Sequence, residues 1–256
     1  MSLIPSSSLW EFNIYTWRWM MKHLHDFGES EEMYLKTIAE LASVQEPIPV
    51  TWVAERLGIS TVSASEMIHR LENRRLLEHT PYKGVCLTDE GRRRANTIIR
   101  RQRLWECFLT DKLAITWDHV HDLACRLEHA TDAVVTEALN DYLGQPTTCP
   151  HGNPIPSTEG EMPPPEGIPL VDLTPGEGGV ILRIHPVSAL LIRHLAEKRI
   201  GPGKEIEVRE IAPFDGPQSI LIGDEMHVLG REVAAHIMIQ PNTETLRSRK
   251  LMEMLG

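Results

Sequence analysis

The residues of this chain best suited to chemistry stand close together in His121-Asp-Leu-Ala-Cys125-Arg-Leu-Glu128-His129. At about 100° per residue a helix gathers His121, Cys125, Glu128 and His129 into one sector of about 100°, leaving Leu123, Ala124 and Leu127 for the other side. Imidazole, thiolate and carboxylate together suit Fe(II), Mn(II), Co(II), Ni(II) or Zn(II), and are softer than the oxygen sets of calcium and magnesium. The same pattern describes a polar helix face with exposed histidines, and spacing alone leaves both readings open. Gln102 and Glu106, at i and i+4 on the preceding helix, can face the same region. A second set, Ser60, Thr61, Ser63, Ser65 and Glu66 with Val62 among them, puts short side chains at a helix start, as entry into a DNA major groove requires. Lys83 follows in a turn and adds a cation. There is no nucleophile elbow, Walker-type phosphate loop, HExxH pair or dinucleotide-binding glycine run, so no enzyme is expected.

The elements that must position these residues follow from periodicity. Met33, Leu35, Ile38, Leu41 and Ala42 recur at near-helical spacing after Glu29, and the helix must stop before the extended Glu46-Pro47-Ile48-Pro49. Val50 to Leu57 forms a second helix closed by Gly58, and Ser60-Thr61 opens a third with Val62, Met67, Ile68 and Leu71 on one face. Glu78-His79-Thr80, the turn Pro81-Tyr82-Lys83-Gly84 and Val85-Cys86-Leu87 predict a β-hairpin, so the unit is a winged helix-turn-helix. Thr88 caps a long helix containing Arg92, Arg93, Arg94, Arg100, Arg101 and Arg103, and helices continue through Leu143. Residues 145–178 hold nine of the eighteen prolines with little periodicity, and read as a linker. Beyond it, 179–184, 204–211, 219–222 and 236–239 are strand-like and 188–198 helical, which fits a small β-barrel of about 60–70 residues. The aromatic stretch Trp10–Phe27 is expected to be a short helical appendage, or to lie upstream of a true start at Met20 or Met21; it is assigned no chemistry.

The chain has 256 residues, 41% hydrophobic and 24% charged, with no apolar run near the ~20 residues of a membrane helix. Membrane-spanning and collagen-like classes are excluded. Cys86, Cys107, Cys125 and Cys149 form no CxxC pair, and no secretory signal opens the chain, so a reduced cytoplasm is expected. The net charge of −10 is segregated: residues 47–103 carry eleven Lys/Arg against six Asp/Glu, and residues 104–172 carry two against twelve. A moderately basic module that could meet phosphate is joined to a strongly acidic one.

Glu31-Glu32-Met33-Tyr34-Leu35, the winged helix-turn-helix, Val120-His121-Asp122 with Cys125-Arg-Leu-Glu128-His129, and above all Cys149-Pro-His-Gly-Asn-Pro-Ile-Pro156 resemble the diphtheria-toxin-repressor family of metal-dependent repressors. The resemblance covers about residues 29–240. It implies a mostly α chain with an N-terminal winged helix-turn-helix, a helical dimerisation domain and a C-terminal SH3-like β-barrel like that of ferrous-iron transport proteins. The implied boundaries are an extension at 1–28, the DNA-binding domain at 29–95, the dimerisation and metal-binding domain at 96–144, the linker at 145–178, the SH3-like domain at 179–240 and a tail at 241–256.

The family's primary metal site carries over onto Met33, Cys125, Glu128 and His129. A thioether and a thiol there favour Fe(II), with Mn(II) the alternative. The ancillary site carries over onto Gln102, Glu106 and His121, where one imidazole has become an amide. The two ligands that the SH3-like domain would lend fall on Ser188 and Leu191, so this site is expected to be weak, absent, or rebuilt with residues such as Cys107. Glu66 replaces a glutamine in the recognition helix, and its carboxylate prefers a cytosine amino group. The implied function is a homodimeric, divalent-metal-activated repressor of metal-homeostasis genes, binding a palindromic double-stranded operator and no membrane. Two readings of other classes compete: a small-molecule-responsive winged-helix regulator, and a metal-binding transport-accessory protein.

Overall fold

The computed structural model describes residues 28–247, apart from 44, 165, 186 and 187, together with residue 249. The expectation for Trp10–Phe27 and half of the 241–256 tail lie outside the described residues. Helices α1 (Glu29–Ala42), α2 (Val50–Leu57) and α3 (Thr61–Asn73) lead into the hairpin β1 (Leu77–Thr80) and β2 (Gly84–Leu87). The local chemistry explains each boundary. Gly58 takes the left-handed conformation (φ 66°) that ends α2, and the Ser60 hydroxyl accepts the Ser63 N–H at 3.1 Å to start α3. Gly84 sits at φ 128°, where a Cβ would collide with the Ile48 carbonyl. That close approach lets Ile48 and Val85 exchange two backbone hydrogen bonds of 2.9 Å, pinning the hairpin to the segment between α1 and α2. Leu35, Ile38, Val53, Ile68, Leu71, Leu76 and Val85 are buried in one core beneath the three helices and the hairpin. Truncating one of these large side chains to alanine is expected to destabilise by about 2–5 kcal/mol.

Helix α4 (Asp89–Asp111) begins at Thr88, whose hydroxyl accepts the Gly91 N–H at 3.0 Å. It runs out of the N-terminal core into a second helical layer with α5 (Val120–Glu128) and α6 (Ala133–Tyr142). Leu104, Cys107, Leu139, Cys149 and Ile155 pack on one of its sides, and Leu109, Val120 and Ala124 on another.

The segment predicted as a linker has little regular structure, yet it is packed: Cys149, His151, Asn153 and Ile155 are buried. Its path runs against the next module. Gly152 (φ 79°) passes so close to the Leu182 carbonyl that no Cβ fits, Ile184 N–H donates to the His151 carbonyl at 3.0 Å, and Asn153 Nδ2 donates to the Ile184 carbonyl at 2.8 Å.

Six antiparallel strands follow, β3 (Ile168–Pro169), β4 (Gly178–Ile184), β5 (Glu205–Ile211), β6 (Gln218–Ile222), β7 (Glu225–Leu229) and β8 (Ile237–Pro241), with α7 (Ala189–Glu197) after β4 and α8 (Arg231–Ala235) before β8. They pair in the order β3-β8-β4-β5-β6-β7, and among the described residues no pairing joins β3 to β7. The expected barrel is thus an antiparallel sheet with two free ends. Strands β3 and β7 and helix α8 escaped the sequence pattern, β3 because it is two residues long and β7 because only Leu229 at its end is buried.

Candidate metal centre and nucleic-acid interface

Three elements and one loop converge on two adjoining clusters. From α4 come Gln102 and Glu106, from α5 His121, Cys125 and Glu128, with His129 just past its end, and from α1 Glu32 and Lys36. The loop after α6 adds Cys149 and His151, which sequence reasoning had used only as a family signature. A Cys-x-His pair held in a proline- and glycine-rich loop was the available signal.

The inner cluster is built on Glu106. One carboxylate oxygen lies 3.0 Å from His121 Nδ1 and accepts from Gln102 Nε2 at 3.1 Å; the other lies 3.2 Å from His151 Nδ1. His151 Nε2 is 2.9 Å from the Trp117 carbonyl, which can only accept, so Nε2 carries a hydrogen and Nδ1 is the atom turned to Glu106. Glu106, Cys149 and His151 are all buried, and one ligand atom of each lies within 4.8 Å of the other two. Burial opposes the Glu106 carboxylate, but the charge of His151 and the hydrogen bonds of both histidines hold its carboxyl well below the usual range. Burial also opposes a charged His121, yet its contacts with Cys125 and Glu106 raise its pKa to about 10. Burial and the Glu106 charge push the Cys149 thiol well up. Imidazole, carboxylate and thiol around a small polar void fit a transition-metal ion. Cys107, expected as a possible replacement ligand, turns instead to the Thr148 carbonyl at 3.5 Å, with its thiol pushed up to about 12 by burial and Glu106. Ser188 and Leu191 are joined in the N-terminal cap of α7, the Ser188 hydroxyl accepting the Leu191 N–H at 3.3 Å.

The outer cluster joins α1 to α5. Lys36 Nζ donates to Glu128 Oε1 at 2.6 Å and lies 3.3 Å from Cys125 Sγ. His129 Nε2 is 3.5 Å from the same Glu128 oxygen, and its Nδ1 is 2.9 Å from Glu32. Glu128 is fully buried and, among the described residues, its second oxygen has no hydrogen-bond partner, an orphaned acceptor that a cation would satisfy. Burial raises the Glu128 carboxyl, with Lys36 pulling the other way. Burial works against the Lys36 ammonium too, but the charges of Glu128 and Cys125 outweigh it and raise its pKa. Lys36 thus touches both Cys125 and Glu128, His129 lies against Glu128, and His121 Nε2, 3.8 Å from Cys125 Sγ, links the two clusters. Met33 lines a shallow cavity with Tyr34, Ser63, Glu66 and Arg70. The α1 residue in contact with Cys125 and Glu128 is Lys36, one turn on.

On the candidate DNA face, Thr61, Val62, Ser63 and Glu66 are exposed at the start of α3, Val62 to 67%, while Ser65 is half-buried with its hydroxyl on the Thr61 carbonyl. Lys83 is exposed at the tip of the hairpin. The arginines of α4, counted in the sequence as phosphate-facing charge, are engaged within the chain. Arg100 holds Glu137 and the Pro156 carbonyl, Arg101 holds Glu32 and the Thr131 carbonyl, and Arg103 holds the Pro154 carbonyl. They anchor the packed loop and α1 to α4.

Three family descriptions match in turn: the N-terminal DNA binding domain of iron dependent repressors over residues 26–85, their metal binding and dimerisation domain over 88–157, and the FeoA domain over 168–241. The diphtheria toxin repressor of Corynebacterium efficiens is 36% identical over 223 residues, spanning 80% of this chain and 96% of that protein. The iron-dependent repressor IdeR of Mycobacterium tuberculosis is 30% identical over 229 residues, spanning 85% and 99%. Among solved structures, a manganese-dependent transcriptional repressor in complex with manganese superposes with a TM-score of 0.75 at 33% identity, over 83% of this chain and all of that one. By sequence, by domain order and by fold, the chain belongs to the diphtheria-toxin-repressor family of metal-dependent transcriptional repressors.

Proposed function

We propose that this chain is a homodimeric, metal-activated transcriptional repressor that acts in the cytoplasm on a palindromic operator, with Fe(II) as its activating ion. The observation that carries this reading is the junction of α1 with α5: Lys36 on Glu128 and Glu32 on His129 tie the first helix of the DNA-binding module to the helix that bears the ligand face. A change of charge in that junction shifts α1, and with it α3 and the wing. Cys125, Glu128 and His129, with Met33 supplied by a movement of α1, form the primary set. Glu106, His121, Cys149 and His151 form the second, with Gln102 as a hydrogen-bond donor to it. A bound divalent ion supplies concentrated positive charge that satisfies the buried carboxylates at both. Ser60, Thr61, Val62, Ser63, Ser65, Glu66 and Lys83 are the groove-facing residues, and a C2 dimer presents two such heads to two half-sites. The boundaries follow the sequence reading, with 145–178 as a packed connector and 179–240 as an SH3-like module.

Mn(II) is the alternative ion, favoured by the manganese-dependent repressor of similar fold and by the two carboxylates, which suit a harder ion. The deciding experiment is an anaerobic gel shift on the DNA upstream of the chain's own coding region, with Fe(II), Mn(II), Zn(II) and chelator compared. Binding that needs Fe(II) or Mn(II) and vanishes with chelator is expected. Binding indifferent to chelator favours a small-molecule-responsive regulator, and no DNA binding under any metal favours a transport accessory.

A further inference from the structure

Another group of metal-ligating side chains lies outside both clusters, where the recognition helix meets the wing. His69 and Glu72 stand one turn apart on α3, and His79 comes from β1. His69 Nδ1 is 3.2 Å from one oxygen of Glu72, and the other oxygen accepts the His79 backbone N–H at 3.3 Å. The two imidazoles meet edge to face with centroids 5.4 Å apart. One ligand atom of each residue lies within 4.8 Å of the other two. In tetrahedral Zn(II) coordination, with bonds of about 2.0–2.2 Å, neighbouring ligand atoms stand about 3.3–3.5 Å apart. Closing the triangle therefore takes side-chain shifts of about 1 Å, and His69, whose side chain is 60% exposed, has room to make them.

We propose that His69, Glu72 and His79 form a surface site for a divalent cation of the Zn(II) class, which clamps the wing strand to the recognition helix. Two imidazoles and a carboxylate are a sufficient protein donor set for Zn(II), with water in the fourth position. Glu72 already spans the junction, holding the strand backbone with one oxygen and the helix histidine with the other. A cation there replaces an edge-to-face pair of rings with bonds to a common centre, and fixes the hairpin relative to the helix that enters the groove. The site contains no thiol, so its chemistry separates it from the two buried clusters and it does not rest on them.

The test is a Zn(II) titration of the full-length, reduced, metal-stripped protein against a chromophoric zinc chelator. Wild type is compared with His69→Gln, His79→Gln and the double variant Cys125→Ser/Cys149→Ser. Each histidine variant is expected to lose one zinc equivalent per chain, and the cysteine variant to keep that equivalent. Co(II) loaded into the cysteine variant is expected to give a d–d spectrum with no thiolate-to-metal charge-transfer band. Histidine variants with the wild-type stoichiometry and affinity overturn the proposal. Zinc lost from the histidine variants, with none lost from the cysteine variant, would sink the buried centres and leave this site standing.

Discussion

Lys36→Met deletes the ammonium between Cys125 and Glu128 while keeping an unbranched side chain of similar length. In the wild type its nitrogen lies 2.6 Å from Glu128 Oε1, with the two side chains 4% and 0% exposed. Removing one member of a buried ion pair destabilises by about 3–5 kcal/mol, because the remaining charge is left without compensation. Among the described residues the second Glu128 oxygen has no hydrogen-bond partner to share that burden. The metal-free variant is therefore expected to melt well below the wild type. A divalent ion entering between Cys125, Glu128 and His129 must displace the ammonium in the wild type, whereas in the variant only His129 stands against Glu128. At about 1.4 kcal/mol per tenfold, the same 3–5 kcal/mol sets a ceiling of about 100- to 4,000-fold tighter binding. Protonation of Glu128, which burial already favours, brings the gain below that ceiling. Anaerobic Fe(II) and Mn(II) titrations against a competing chelator read the affinity, and melts with and without metal read the stability. A variant that melts lower without metal yet binds metal no more tightly than wild type would refute the idea that Lys36 competes for this site.

Cys125→Ala or His129→Ala is expected to abolish metal-stimulated DNA binding while the protein still elutes as a dimer; a full metal response in either variant would remove that residue from the site. Lys83→Ala is expected to weaken DNA binding about equally across sequences and to flatten the slope of log K against log salt by about 0.9 per lost phosphate contact. An unchanged slope in a salt series would place the wing tip away from the backbone. His185 supplies a pH dependence: burial, then the charges of Arg103 and Arg183, lower its pKa to about 3. Its neutral form is the one the fold accommodates, so its contribution is fully present above about pH 6.5, the ordinary histidine value, and is lost as pH falls towards 3. His185→Gln is expected to flatten the fall of Tm between about pH 6.5 and 4 in chelator; a fall as steep as that of the wild type would assign the acid limb to other groups.

Short-range signals carried the N-terminal architecture into the sequence reading. Gly58, Ser60 and Thr88 end or start helices through bonds to neighbours within a few residues, so composition and order suffice to find them. The same holds for Cys125, Glu128 and His129, which one stretch of chain brings together. What escaped depends on separation. Lys36 meets Cys125 and Glu128 across 89 and 92 residues, and His151 meets Glu106 across 45. No periodicity reports such a pairing. The prolines of 145–178 read as a linker, but their lack of free N–H groups equally suits a chain laid against α4 with its carbonyls on Arg100 and Arg103. Met33 shares a cavity with residues of α3, a placement across the chain that its spacing on α1 does not report.

The hydrogen bonds between the His151 loop and β4 bear on how such proteins can be recombined. A C-terminal module hung on a free tether is an interchangeable cassette, removable with little effect on what precedes it. Here the Ile184 N–H holds the His151 carbonyl, the Ile184 carbonyl holds Asn153, and Gly152 lies flush against Leu182. The last residues of β4, beyond the stretch that pairs with β5, thus brace the loop that carries His151, and a graft from another protein succeeds only if its own β4 presents the same backbone groups to that loop.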